Sequence, residues 1–120
     1  MSIEIMEWLI DLLKRTGTKV RDNKTYQIYD LQNGELVLSM TILHEGKETN
    51  GHLHEVEEVY TFVVGQGNLQ IDTAKCSVKP YDTIPIPSNN FHKVYNTGRG
   101  DCIFVSLFKE YEGYGERGKS

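Results

Sequence analysis

The chain has 120 residues, enough for one domain with a single modest core. It carries 17 acidic against 13 basic side chains, a formal charge of −4, and its lysines and arginines form no stripe, which argues against a nucleic-acid surface. It shows neither a secretory h-region nor a membrane-length apolar run, so a cytoplasmic protein without membrane contact is expected.

Residues 1–17 read as an amphipathic helix. Met6, Leu9, Ile10 and Leu13 recur at helical spacing, and Ile5, Trp8 and Leu12 widen the stripe. Ser2 can cap the start. Glu4 suits the positive end of the helix dipole, Lys14 and Arg15 the negative end, and Gly17 is a natural stop. The stripe is expected to pack on the rest of the domain or on a partner subunit.

From 18 to 110 the pattern becomes that of short strands. Tyr26–Tyr29, Leu36–Leu43, His52–His54, Glu58–Val64, Asn68–Ile71, Cys76–Val78, Thr83–Pro87, His92–Asn96 and Cys102–Lys109 are rich in β-branched and aromatic residues. Asn33-Gly34 is a two-residue hairpin signal, and Gly65-Gln66-Gly67 and Thr97-Gly98-Arg99-Gly100 punctuate later turns. Close, regular strands point to an all-β sandwich or barrel rather than βαβ units. Residues 111–120, rich in glycine and charge, are expected to form a flexible tail. Cys76 and Cys102 lack CxxC spacing and read as reduced, partly buried thiols.

Three of the four histidines join one carboxylate in a pattern with the chemistry of a metal site. His52 and His54 alternate on a strand, so they project from one face with Cα atoms about 6.6 Å apart. After a short turn, Glu58 opens the apolar run Val59–Val64, on a face shared with Tyr60, Phe62 and Val64. A carboxylate on an inward face needs an ion or a strong donor. His92 comes from a distant strand. Three imidazoles and a carboxylate suit one divalent ion of Fe, Mn, Co, Ni or Zn. His44 lies outside the pattern and reads as a surface residue, and Tyr95 should point away from the site by alternation.

These residues resemble the cupin superfamily. Its first motif, G-x5-H-x-H-x3/4-E-x6-G, is matched by Gly46, His52, His54, Glu58 and Gly65. Its second, G-x5-P-x-G-x2-H-x3-N, is matched by Pro87, His92 and Asn96, with Tyr81 and Asn89 in place of the glycines. The resemblance spans about Leu36 to Lys109. It implies a small cupin β-barrel (double-stranded β-helix, or jelly roll) behind the N-terminal helix, with His52, His54, Glu58 and His92 on one ion. It also implies a homodimer, which the apolar helix stripe would serve.

Locally, Thr49, Gly51, His52, His54, Glu58, Val59 and Tyr60 are similar to archaeal cupin-type phosphoglucose isomerases. That likeness implies catalytic roles for Glu58 and Tyr60, and substrate contacts from Thr49 and from Lys47 beside it. The leading expectation is therefore a metal-dependent, isomerase-like enzyme acting on a small hydroxycarbonyl compound, such as a sugar or sugar phosphate. The alternatives are a non-haem iron dioxygenase and a non-catalytic, metal-stabilised ligand-binding module.

Overall fold

The computed structural model describes residues 3–116, with side chains from Glu7 to Glu116. The predicted Ser2 cap, the side chains of Glu4, Ile5 and Met6, and the end of the tail from 117 lie outside the described residues. Helix α1 spans Ile3–Thr16. It ends where the Gly17 amide donates to the Leu13 carbonyl at 2.9 Å, and a Cβ at Gly17 would stand 2.8 Å from that same oxygen. Ile10 and Leu13 pack on Met40, Ile42, Val63 and Ile103, so the stripe covers part of the outer face of a sheet. Trp8 does not belong to it. It is 59% exposed, on the side of the helix roughly opposite Ile10 and Leu13.

Nine strands follow: β1 Thr18–Asp22, β2 Tyr26–Asn33, β3 Leu36–Leu43, β4 Glu58–Val64, β5 Gly67–Ile71, β6 Ala74–Val78, β7 Thr83–Ile86, β8 His92–Asn96 and β9 Cys102–Lys109. All pairings are antiparallel. The larger sheet has the order β1-β2-β3-β9-β4-β7 and the smaller one β6-β5-β8. Between them lies one cluster drawn from both sheets, including Ile28, Leu43, Phe62 and Phe104 from the first and Leu69, Val78 and Val94 from the second. No helix among the described residues is long and apolar enough to cross a membrane.

The expected hairpin joins β2 to β3 through Gly34 at φ 61°, with Asn33 opposite Leu36. Strand β1 was not legible, because Thr18–Asp22 alternates weakly and is mostly polar. The inward alternation of β4 holds for Glu58, Tyr60 and Phe62 and then breaks. A bulge between Phe62 and Val64 places two residues against one of β9, and Val63 and Val64 join the cluster beneath the helix instead.

The segment His52–His54 is not a strand. The loop between β3 and β4 runs beside β8 and touches it only at isolated bridges, Glu48 with Tyr95 and His52 with His92. Polar contacts replace a regular ladder there. The Thr49 amide donates to the Val94 carbonyl at 2.9 Å, and the Val94 amide donates to Thr49 Oγ1 at 3.0 Å. Gly51, at φ 78°, then turns the chain because the Phe91 ring occupies the space a side chain would need.

Both cysteines are free thiols, Cys76 exposed and Cys102 buried. Burial pushes the Cys102 thiol up to about 11.

Candidate metal centre

Glu58 enters the space between the sheets from β4, a strand flanked by β9 and β7. His92 enters from the first position of β8 in the other sheet. His52 and His54 arrive from the loop, held to β8 by two backbone bonds: the His52 amide donates to the His92 carbonyl at 3.1 Å, and the reverse bond is 3.0 Å. The four sequence-predicted ligands are thereby brought together, with one donor atom from each within 4.8 Å of the others. His54, Glu58 and His92 are buried, and His52 is partly so.

Ring orientation follows from hydrogen bonds outside the cluster. His54 Nδ1 lies 2.9 Å from the Val56 carbonyl, and His92 Nδ1 lies 2.9 Å from the Asn90 carbonyl. A carbonyl can only accept, so each Nδ1 carries the proton. In the neutral rings this leaves the Nε2 lone pairs for the centre. His54 Nε2 stands 2.9 Å from Glu58 Oε2, His92 Nε2 3.0 Å from the same oxygen, and His92 Nε2 3.1 Å from His52 Nε2. Acceptors facing acceptors at this range require positive charge among them. A divalent ion meets that requirement. Neighbouring donors around an octahedral ion, each at ~2.1 Å, are roughly 3 Å apart. The donor set therefore fits one divalent metal, and the bonds from both Nδ1 atoms to carbonyls are the usual outer support of ligating histidines.

Burial alone would raise the Glu58 carboxyl. Without an ion, hydrogen bonds that His54 and His92 donate when both ring nitrogens carry a proton, together with that positive charge, outweigh it and hold the group at about 2. That environment suits the ligand role expected of Glu58.

Backbone geometry around the centre is demanding. The two motif positions without glycine are both left-handed, Tyr81 at φ 80° and Asn89 at φ 62°. The Tyr81 amide donates to the Phe62 carbonyl at 2.8 Å, and the Asn89 amide to the His54 carbonyl at 2.8 Å. Asp72 steadies the approach to His92, because its carboxylate accepts from the Phe91 amide at 3.1 Å and from the Asn90 side chain. Asn96, the last motif residue, is buried and pins the turn before β9. Its Nδ2 donates to the Leu43 carbonyl at 3.0 Å and to the Gly100 carbonyl at 2.9 Å.

The centre opens into a cavity of about 560 Å³. Thr49 and Tyr60 are among the residues that line it. Tyr60 is 5% exposed, stacked on Phe104 with ring centroids 5.1 Å apart and edge-on to His92 at 5.7 Å. Lys47 is not brought to the cavity. It is exposed at the turn where its amide donates to the His44 carbonyl at 3.1 Å, and it is not a lining residue. His44 is partly exposed and pairs with Asp101 at 3.1 Å, away from the ligands. Tyr95 points away as well, its hydroxyl donating to Gln70 Oε1 at 2.8 Å.

Sequence reasoning missed several wall residues. Tyr26, Ile28 and Thr41 line the cavity from β2 and β3. Their signal is the inward alternation of Tyr26 and Ile28. Tyr111 lines it too, its ring stacked on His54 with centroids 4.5 Å apart. Residues 111–116, expected to begin a flexible tail, fold back across the mouth and end in a short turn of 3₁₀ helix at Tyr114–Glu116. The signal was the pair Tyr111 and Tyr114, two aromatic rings in a stretch otherwise made of glycine and charge.

An all-β sandwich holding a three-histidine, one-carboxylate centre at the end of its core defines a class of protein. The family model described as "Cupin domain" matches residues 39–108, and the chain belongs to that family. Among curated proteins, the chain is 31% identical over 66 residues to a 5-nitrosalicylic acid 1,2-dioxygenase of Bradyrhizobium sp, covering 55% of this chain and 32% of the relative. It is 39% identical over 62 residues to an uncharacterised protein of Methanocaldococcus jannaschii, covering 51% of this chain and 50% of the relative. The chain thus spans half or less of the length of these two relatives. Among solved structures, a predicted oxalate decarboxylase from Thermotoga maritima aligns with a TM-score of 0.71 at 18% identity, covering 81% of this chain and 96% of the other. KdgF from Halomonas sp. aligns with a TM-score of 0.69 at 18% identity, covering 77% and 87%. At these identities the structural likeness establishes the fold.

Proposed function

We propose that this chain is a mononuclear metal-dependent enzyme acting on a small hydroxycarbonyl compound, with isomerase-like proton transfer as its chemistry. The observation that carries the reading is the convergence of His52, His54, Glu58 and His92 on one side of a cavity of about 560 Å³. When bound, the ion supplies Lewis acidity toward adjacent substrate oxygens. The four ligands hold it. Tyr60 and Thr49 line the adjoining wall and orient the substrate by hydrogen bonding. Glu55, a lining carboxylate outside the ligand set, is the candidate proton carrier in place of Glu58. The isomerase component rests on the likeness at Thr49, Gly51, His52, His54, Glu58, Val59 and Tyr60.

The test is solvent exchange. Protein loaded in turn with each candidate metal is incubated in deuterated water with aldoses, ketoses and small hydroxyketones. Carbon-bound deuterium should appear with the wild type and fall sharply with Tyr60→Phe or Glu55→Gln. A second reading, dioxygen chemistry at iron, is favoured by the dioxygenase relative. Oxygen uptake by the iron-loaded protein with a catechol or a salicylate, without deuterium wash-in, would replace the isomerase reading. Absence of both activities with a full metal complement would leave the ligand-binding module.

We also propose a homodimer. Leu31, Leu38, Leu107, Val59 and Pro85 are consecutive register neighbours across β2, β3, β9, β4 and β7. Leu31, Val59 and Leu107 in this row are 37–40% exposed. Light scattering on the wild type and on Leu107→Lys should show a dimer and a monomer respectively.

A further inference from the structure

His54 reaches the centre from a loop rather than from a strand, so its ring needs support that a ladder does not give. The bond from Nδ1 to the Val56 carbonyl fixes one atom of the ring. Approach to a carbonyl oxygen is tolerated over a broad range of directions, so this bond sets the tilt of the ring only loosely. Three rings lie against it. His52 and His92 have their centroids 5.0 Å away, and both are ligands themselves. Tyr111 is not a ligand. Its ring stacks on His54 with centroids 4.5 Å apart and planes 27° apart.

Tyr111 is held from outside the centre. It sits between the buried Phe108 ring at 5.7 Å and the Tyr114 ring at 6.1 Å. The Tyr114 hydroxyl donates to Gln32 Oε1 at 2.8 Å, and Gln32 Nε2 donates to Glu110 Oε2 at 2.7 Å. The Glu110 amide donates to the Glu35 carbonyl at 2.7 Å, and Arg21 donates to the Gly115 carbonyl. Contacts with β1, β2 and the β2–β3 turn therefore fix residues 110–116, and these place one aromatic face on a ligand of the centre.

We infer that Tyr111 is a positioning residue of the metal centre: its ring fixes the plane of the His54 imidazole, and the order of residues 110–116 is thereby coupled to metal binding. This rests on the assignment of His52, His54, Glu58 and His92 as ligands. A face-to-face neighbour restricts the tilt that the Val56 bond leaves free, so less ordering of His54 remains when the ion enters. The coupling is reciprocal. The factor by which the stack favours metal binding is the factor by which bound metal favours the ordered segment.

The experiment titrates cobalt into chelator-treated protein against a competing chelator and records the visible bands of the bound ion. Tyr111→Leu should bind cobalt about 10–100-fold more weakly, the usual loss when an outer support of a ligating histidine is removed, with shifted bands at saturation. Tyr111→Phe keeps the ring and should match the wild type in both. Gln32→Ala touches no ligand and removes two anchors of the segment. It should weaken cobalt binding in the same direction by a smaller factor, and it carries the test if Tyr111→Leu fails to fold. In the wild type, cobalt should slow amide hydrogen exchange in residues 110–116, and in Tyr111→Leu it should not. Unchanged affinity and bands in folded Tyr111→Leu, a Tyr111→Phe variant as impaired as Tyr111→Leu, unchanged affinity in Gln32→Ala, or exchange in 110–116 that ignores cobalt would each overturn the inference alone. A folded wild type that binds no cobalt would overturn the ligand assignment and the inference with it.

Discussion

Gly51→Ala tests how the loop delivers His52, and Gly46→Ala is its internal control. Both glycines are left-handed, Gly51 at φ 78° and Gly46 at φ 74°. An L-residue there costs roughly 1–2 kcal/mol. The more restricted unfolded chain returns about 0.4–1 kcal/mol. Gly46 has nothing within 4 Å of an added Cβ, so its substitution should cost only this balance, about 0.5–1 kcal/mol. At Gly51 the new Cβ would stand 2.4 Å from Phe91 Cζ and 2.8 Å from Cε2. The ring or the loop must move, adding about 1–3 kcal/mol by analogy with overpacked cores. The total for Gly51→Ala is then about 1.5–4 kcal/mol. Urea unfolding of the chelator-treated variants measures both values. Metal titration should show weaker binding for Gly51→Ala, because His52 and His92 share a backbone bridge next to the displaced ring. Equal costs at the two positions, or normal metal affinity in a destabilised Gly51→Ala, would refute the reasoning.

Tyr81→Gly should stabilise the fold by up to about 1 kcal/mol, since relief of a left-handed tyrosine exceeds the entropy that glycine adds to the unfolded chain. A loss of stability in urea would mean that the side chain contributes more than the strain costs. Cys102 is held protonated, with a folded value raised from 9.0 to about 11. Its contribution is therefore complete below pH 9 and lost as pH rises toward 11. Cys102→Ala should lack that alkaline decline in urea midpoint, and an unchanged pH profile would show that another group causes it. Glu58 is shifted the other way, from 4.5 to about 2. In chelator-treated protein its contribution is present above 4.5 and fades as pH falls toward 2. Glu58→Gln should flatten this acid slope, and an undiminished slope would contradict the pairing with His54 and His92.

The strands and the ligands were legible for the same reason. Alternation in β4, β8 and β9 marks an inward face, and Glu58 and His92 are polar residues on such faces, where burial demands a partner. His52 and His54 were placed at the cluster correctly but through the wrong local structure. Their backbone is a loop whose shape depends on Gly51 meeting Phe91, a contact between residues 40 apart in sequence. Local pattern cannot report such a contact. The bulge that turns Val64 outward is likewise a matter of pairing with β9. The ordered segment after β9, residues 110–116, was hidden because its composition is that of a tail. Its order comes from Gln32, Glu35 and Arg21, far earlier in the chain. Tyr81 and Asn89 show the converse. They break the motif's residue pattern, yet their backbones are left-handed, a conformation glycine adopts freely.

The central claim is that His52, His54, Glu58 and His92 form one metal centre, and metal content measures it most directly. Wild-type protein, dialysed after exposure to a mixture of iron, manganese, nickel, cobalt and zinc, should retain close to one divalent ion per chain by elemental analysis. His92→Ala should lose most of it and Glu58→Gln a large part, while circular dichroism shows the sheets intact. Full metal content in both variants, or none in the folded wild type, would contradict the account.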